Sequence, residues 1–224
     1  MRQAEGCRRH DWVYLPDGWR QKLAAPLAAE DANALARWVG ERRPLVVARR
    51  QNHDAPDMLR LGLALPGKRR VSVTLPTDAV ELRRRPPYLF DVVDAGAGFW
   101  PEAMRDLVAR VAQIAPDTRV FGSLAWQFFA ADPAYAYVTP ASDIDLLLVP
   151  THLARLASTI AMLQDFETRW PAPRLDGEIV LPGGDFVSWR EFAARPKKIL
   201  VKGVDNVSLR PFDDIDALLS ARAA

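Results

Sequence analysis

Apolar and polar residues alternate over four stretches at the front of the chain: Trp12 to Leu15, Pro44 to Arg49, Met58 to Leu65 and Arg70 to Leu75. This period of two marks strands with one buried face. The Leu65-Pro66-Gly67-Lys68 stretch between the last two carries turn chemistry. In Asp31 to Arg42, Ala34, Leu35 and Val39 recur at helical spacing, with Gly40 and Pro44 marking the end. The pattern predicts a small mixed domain of short strands around one helix. The stretch RRRPPYLFDVVDAGAGFWP, Arg83 to Pro101, is rich in Pro and Gly in two places and puts a domain boundary at about residue 95.

Beyond it, Pro101 opens a helix with Met104, Leu107, Val108, Val111 and Ile114 on one face, stopped by Pro116-Asp117. A strand over Thr118 to Phe121 runs into Gly122-Ser123, and Leu124 to Phe129 reads as a short helix. Asp132 to Ala141, with Pro133 and Pro140, reads as a loop. Ile144 to Val149 is apolar except for Asp145, the pattern of a central strand buried on both faces. Leu153, Leu156, Ile160 and Leu163 outline another amphipathic helix. A hairpin is predicted over Glu178 to Leu181 and Asp185 to Trp189 around Pro182-Gly183-Gly184. KKILVK, Lys197 to Lys202, is a further strand, and a last helix follows Pro211. The expected class is α+β: residues 1–95 form one small mixed domain, and residues 96–224 a second.

Composition narrows the possibilities without choosing among them. The 224 residues are 49% hydrophobic, enough for two small cores. No apolar run approaches the ~20 residues of a membrane-spanning helix, and MRQAEGCRRHDW is too polar for a secretory signal, so a cytoplasmic protein with no membrane partner is expected. The single cysteine, Cys7, excludes an internal disulfide framework and a Cys-rich zinc site. Net charge is only +2, but residues 1–95 hold 17 Lys and Arg against 12 Asp and Glu, and residues 96–224 hold 13 against 16. A basic front half suits the holding of a polyanion, and scattered solvated arginines would give the same tally. Nucleic acid is not expected as a partner, because no cluster interleaves aromatic with basic residues. His10-Asp11 has no accompanying His/Asp cluster and reads as structural. Most of the seven tryptophans are spaced as packing residues; Trp126, three after Ser123, is the one expected near a ligand.

Two short motifs carry chemistry. In SDIDLLLV, Asp143 and Asp145 stand two apart on a strand, so their side chains leave on one face about 7 Å apart along the backbone. Buried like charges cost several kcal/mol unless compensated. A hard divalent cation with oxygen ligands is the simplest compensation, and Mg²⁺ favours one or two carboxylates together with substrate phosphate. In VFGSLAWQ, Gly122-Ser123 lies where a strand passes into a helix, where amides and a hydroxyl can meet phosphate oxygens.

Glycine-serine on a short helix followed by an aspartate pair on a strand resembles the nucleotidyltransferase superfamily typified by DNA polymerase β and the aminoglycoside nucleotidyltransferases. That resemblance implies that residues 96–224 are a catalytic domain with a mixed sheet flanked by helices, that the basic N-terminal domain over residues 1–95 binds substrate or partner, that a metal is bound by Asp143 and Asp145 and phosphate held by Gly122 and Ser123, and that a third carboxylate lies on a later strand. LDGEIVL offers Asp176 or Glu178 for it, with Asp176 slightly favoured as a metal ligand. Over nearly the full length, RHDWVYL, PLVVARR, LGLALPGKRR, GSLAWQ, RLDGEIVLPGG, VSWREF and KKILVK are similar to the phosphoribosyl-dephospho-CoA transferase of malonate decarboxylase, its holo-acyl-carrier-protein synthase. This implies a donor, 2′-(5″-triphosphoribosyl)-3′-dephospho-CoA, an acceptor serine on the apo acyl-carrier subunit, release of pyrophosphate, and Mg²⁺ or Mn²⁺ as cofactor. Candidates for neutralising the triphosphate are Lys197, Lys198 and Lys202, then Arg49, Arg50, Lys68, Arg69 and Arg70. Lys198 and Lys202 share strand parity. The alternatives are a nucleotidyltransferase acting on a small molecule or another protein, and a non-catalytic binding module. Antibiotic-modifying relatives usually add helices after the catalytic sheet, whereas here a basic domain precedes it.

Overall fold

The computed structural model describes residues 6–96 and 98–221; the side chain of Lys68 lies outside the described residues. The chain forms two compact units, Met1–Pro86 with Gly203–Asn206, and Pro87–Lys202 with Val207–Ala224. The fold is α+β.

In the first unit, β1 (Trp12–Tyr14), β2 (Leu45–Val47), β3 (Met58–Ala64), β4 (Arg70–Pro76) and β5 (Leu82–Arg84) form a sheet of order β4-β3-β2-β1-β5. Every pairing in it is antiparallel. Along β3 and β4 burial alternates, with Leu59, Leu61, Leu63, Val71, Val73 and Leu75 inside, as the sequence period requires. Helix α1 (Ala29–Gly40) buries Leu35, Trp38 and Val39, and the Trp38 indole donates to the Pro44 carbonyl at 2.8 Å. Asp11 is buried and accepts from the Arg8 amide at 2.9 Å and from Arg85 at 3.2 Å. The His10-Asp11 pair is therefore part of the scaffold. Burial pushes the Cys7 thiol above its ordinary value despite the nearby Arg83, which disfavours the reactive thiolate.

The second unit begins earlier than the boundary expected near residue 95. Tyr88 bridges Arg119 and the Leu89 amide donates to the Thr118 carbonyl, so these residues are tied to the second sheet. A short helix α2 (Val93–Gly96) precedes α3 (Pro101–Ile114), which buries Met104, Leu107 and Val111. Strand β6 (Arg119–Phe121) passes directly into α4 (Gly122–Ala130), and β7 (Ile144–Leu148) is followed by α5 (Leu153–Arg169). Strands β8 (Leu175–Val180) and β9 (Phe186–Ser188) flank the Pro-Gly-Gly turn, and α6 (Trp189–Ala193), β10 (Lys198–Lys202), β11 (Val207–Pro211) and α7 (Phe212–Ser220) complete the unit.

The sheet order is β11-β10-β9-β8-β7-β6. Only β7 and β8 run parallel, joined through α5; the other pairings are antiparallel. A parallel neighbour requires a long crossover, and α5 supplies it while burying Leu156, Ile160, Leu163 and Phe166. Among the described residues no helix is long and apolar enough to cross a membrane.

Candidate active site

The register of three strands gathers the acidic residues. Phe121 on β6 faces Asp145 on β7, and Asp145 faces Asp176 on β8. Gly122 immediately follows Phe121 and takes a φ of 63°, which lets β6 turn at once into α4. A β-carbon there would stand 1.9 Å from Asp145 Oδ2, so the glycine leaves the space that the carboxylate fills. The Ser123 hydroxyl donates to the Asp143 carbonyl at 3.4 Å, joining the start of α4 to the start of β7. Gly177 closes the other side: with φ at 145° its β-carbon would lie 2.0 Å from the Leu146 carbonyl oxygen, so only glycine lets β7 and β8 pair between Asp176 and Glu178.

The electrostatics follow from this crowding. Burial, then Asp176, Asp143 and Glu178, push the Asp145 carboxyl up to about 7, opposed by Arg174. Asp143 and Asp176 are more open, with side chains 37% and 38% exposed. Arg174, which precedes β8, reaches Asp143 at 3.4 Å and Asp176 at 3.8 Å. Glu178 is different: it is buried and bonded to Lys202 Nζ at 3.0 Å.

The oxygen donors of Asp143, Asp145 and Asp176 fit a hard divalent cation by chemistry, and the raised Asp145 carboxyl is the response of an acidic group short of positive charge. Among the described residues, no three His, Cys, Asp or Glu side chains already stand in a metal-holding arrangement.

The structure thus brings together Gly122, Ser123, Asp143, Asp145, Asp176, Glu178 and Lys202. Lys198 shares the parity of Lys202 on β10, and both it and Lys197 are exposed. Trp126 is buried in α4 and stacks on Tyr137 at 5.9 Å, which stacks on Tyr135. Gln127 accepts from the Tyr137 amide at 2.8 Å and donates to the Asp132 carbonyl at 3.2 Å, tying the 132–141 loop to α4. The remaining basic candidates belong to the first unit. There Arg50 bonds Asp205 and Arg69 bonds Glu30 and Asp31, while Arg49 and Arg70 are exposed.

Sequence reasoning missed Arg174 and the clamp behind β8. Glu167 accepts from the Leu175 amide at 3.1 Å, and Arg190 donates to the Leu175 carbonyl at 3.1 Å while pairing with Glu167. These residues come from α5 and α6, so no local motif unites them; the arginine two before Asp176 was the one signal in the sequence.

Lys202→Met is expected to destabilise the protein by about 2 kcal/mol, because buried Glu178 loses its cation; full burial of both partners would make the loss larger. Adding Glu178→Gln to that variant should recover most of the loss. Denaturant melts of the single and double variants test this, and strict additivity would rule the pair out as the cause.

Comparison with known proteins covers most of both units. Residues 8–86 match the Phosphoribosyl-dephospho-CoA transferase MdcG N-terminal domain and residues 88–212 the C-terminal domain of the same name. A phosphoribosyl-dephospho-CoA transferase of Xanthomonas campestris pv. campestris strain 8004 is 36% identical over 208 residues, covering 91% of this chain and 93% of the relative. One from Bradyrhizobium diazoefficiens is 37% identical over 211 residues, covering 90% and 88%. No solved structure matches. The family match and these relatives define a transferase enzyme. More narrowly, the chain belongs to the phosphoribosyl-dephospho-CoA transferase family.

Proposed function

We propose that the protein transfers phosphoribosyl-dephospho-CoA from 2′-(5″-triphosphoribosyl)-3′-dephospho-CoA to a serine of the malonate decarboxylase acyl-carrier subunit, releasing pyrophosphate. The supporting observation is the register that sets Asp145 against Asp176, with Asp143 two residues away and Gly122 against the Asp145 carboxylate. In this reading the carrier serine oxygen gives up its proton to solvent and bonds to the α-phosphorus, and the bond from that phosphorus to the departing pyrophosphate breaks. Asp143, Asp145 and Asp176 would hold Mg²⁺, or Mn²⁺ in its place, which supplies charge neutralisation for the phosphoryl oxygens and lowers the pKa of a bound hydroxyl.

The chain's own groups do the positioning. The amides at the start of α4 and the Ser123 hydroxyl face the donor's terminal phosphates, where a helix N-terminus favours negative charge. Asp176 is assigned as the third carboxylate because it is the register partner of Asp145 and is half-exposed. Glu178 is assigned to support, since burial and Lys202 already engage it. Lys197 and Lys198 add exposed positive charge, and the basic first unit is assigned to binding the donor or carrier. The protein is assigned to the cytoplasm, where such a carrier would be modified.

With donor, Mg²⁺ and apo carrier, the carrier should gain the mass of phosphoribosyl-dephospho-CoA, with one pyrophosphate released per carrier. A carrier lacking its acceptor serine should give neither. A folded protein that releases pyrophosphate without modifying the carrier would sink the assignment of the acceptor; one that does neither would sink the reaction itself.

A further inference from the structure

Arg174 stands at the mouth of the acidic group without belonging to any of its motifs. One guanidinium spans two carboxylates, with Nη1 3.4 Å from Asp143 Oδ2 and Nη2 3.8 Å from Asp176 Oδ2. Its backbone is fixed, because the Ile144 amide donates to the Arg174 carbonyl at 2.9 Å and so ties the start of β8 to the start of β7. Its side chain is 59% exposed. An arginine anchored at its backbone and loosely held at its head can neutralise two carboxylates and still swing away, since exposed ion pairs of this length are individually weak. The two oxygens it approaches belong to carboxylates assigned above to the divalent cation. Guanidinium and cation thus draw on the same negative charge, and like charges cannot share that position cheaply.

We propose that Arg174 is a resident counter-ion of the acidic site, holding Asp143 and Asp176 before metal arrives and competing with the divalent cation for them. This rests on the carboxylates being the metal ligands, as argued under the proposed function. The consequence is that cation alone binds weakly, whereas a cation arriving with a triphosphate brings new anionic oxygens that can take the guanidinium in exchange. Arg174 thereby couples metal binding to donor binding and discourages loading by metal alone.

The test is Mn²⁺ binding to the donor-free protein, read as free Mn²⁺ by electron paramagnetic resonance in low salt at pH 8. Arg174→Ala should bind Mn²⁺ about threefold to tenfold more tightly than wild type, the gain expected from releasing two exposed ion pairs. Arg174→Lys should lie near wild type. The advantage of the alanine variant should shrink as salt is raised, because exposed pairs are screened. Asp143→Ala serves as the separate control and should lose binding. If Asp143→Ala loses Mn²⁺ while Arg174→Ala binds it no more tightly than wild type, the counter-ion role is overturned and the metal assignment stands. If Asp143→Ala binds Mn²⁺ as wild type does, the metal assignment fails and the counter-ion role fails with it.

Discussion

Asp145→Asn is expected to lower the transfer rate by a factor on the order of 10³ and, at the same time, to make the metal-free protein more stable at pH 8. The loss of rate follows from removing the carboxylate that stands between Gly122 and Asp176. The gain in stability follows from its proton. The carboxyl is raised from 3.8 to about 7 by burial and by three neighbouring acids. Between those two values the folded protein keeps a proton that the unfolded chain releases, so stability falls as pH rises across the window and the whole penalty stands above it. A carboxyl moved that far costs on the order of 4 kcal/mol, and relaxation of the exposed neighbours reduces the recoverable part to roughly 2 kcal/mol. For a chain of this size the melting temperature should rise by about 4–8 °C. At pH 5, inside that window, only about a third of the penalty has developed, so the two proteins should melt closer together than at pH 8. Calorimetry at the two pH values checks the sign, and an unchanged or lower melting temperature at pH 8 would show that Asp145 carries no such charge penalty.

Gly122→Ala should cut activity by a factor of about 10² or more while leaving the protein folded. Its β-carbon would lie 1.9 Å from Asp145 Oδ2, 2.7 Å from Cγ and 3.2 Å from Cβ. The side chain can swing away, so the fold survives, but the carboxylate leaves its place against Asp176, and displacements of about 1 Å at a reacting centre cost on the order of 10²-fold. The positive φ adds about 1–2 kcal/mol of backbone strain for any residue with a β-carbon. A circular-dichroism melt a few degrees below wild type, together with the collapsed rate, is the expected pair of results. Near-normal activity would mean that the position of Asp145 does not limit the reaction.

Elements with one buried face were legible because their burial writes a period into the sequence. The strands at 58–64 and 70–76 alternate, and α3 repeats its apolar residues at helical spacing. Elements without such a face were not legible. β11 leaves Val207, Ser208 and Leu209 exposed and exists through its backbone pairing with β10. β5 lies in an arginine run and is an edge strand paired along β1. The expected strand reaching Trp189 ends at Ser188 because the Ser188 hydroxyl accepts from the Glu191 amide and caps α6, a local competition that strand-like hydrophobicity conceals.

For the site the division is similar. The acidic pair on one strand, the glycine and serine at a helix start, and the resemblance to the family were all readable from the residues alone. That Asp176 faces Asp145 while Glu178 is buried against Lys202, that Arg174 bridges two carboxylates, and that Glu167 and Arg190 clamp the start of β8 emerged from the folded sheet. Motif residues sit close together along the chain, so local geometry dictates their spacing. The others come from different strands and helices, and which of two nearby carboxylates receives a partner depends on register and burial set by the whole sheet.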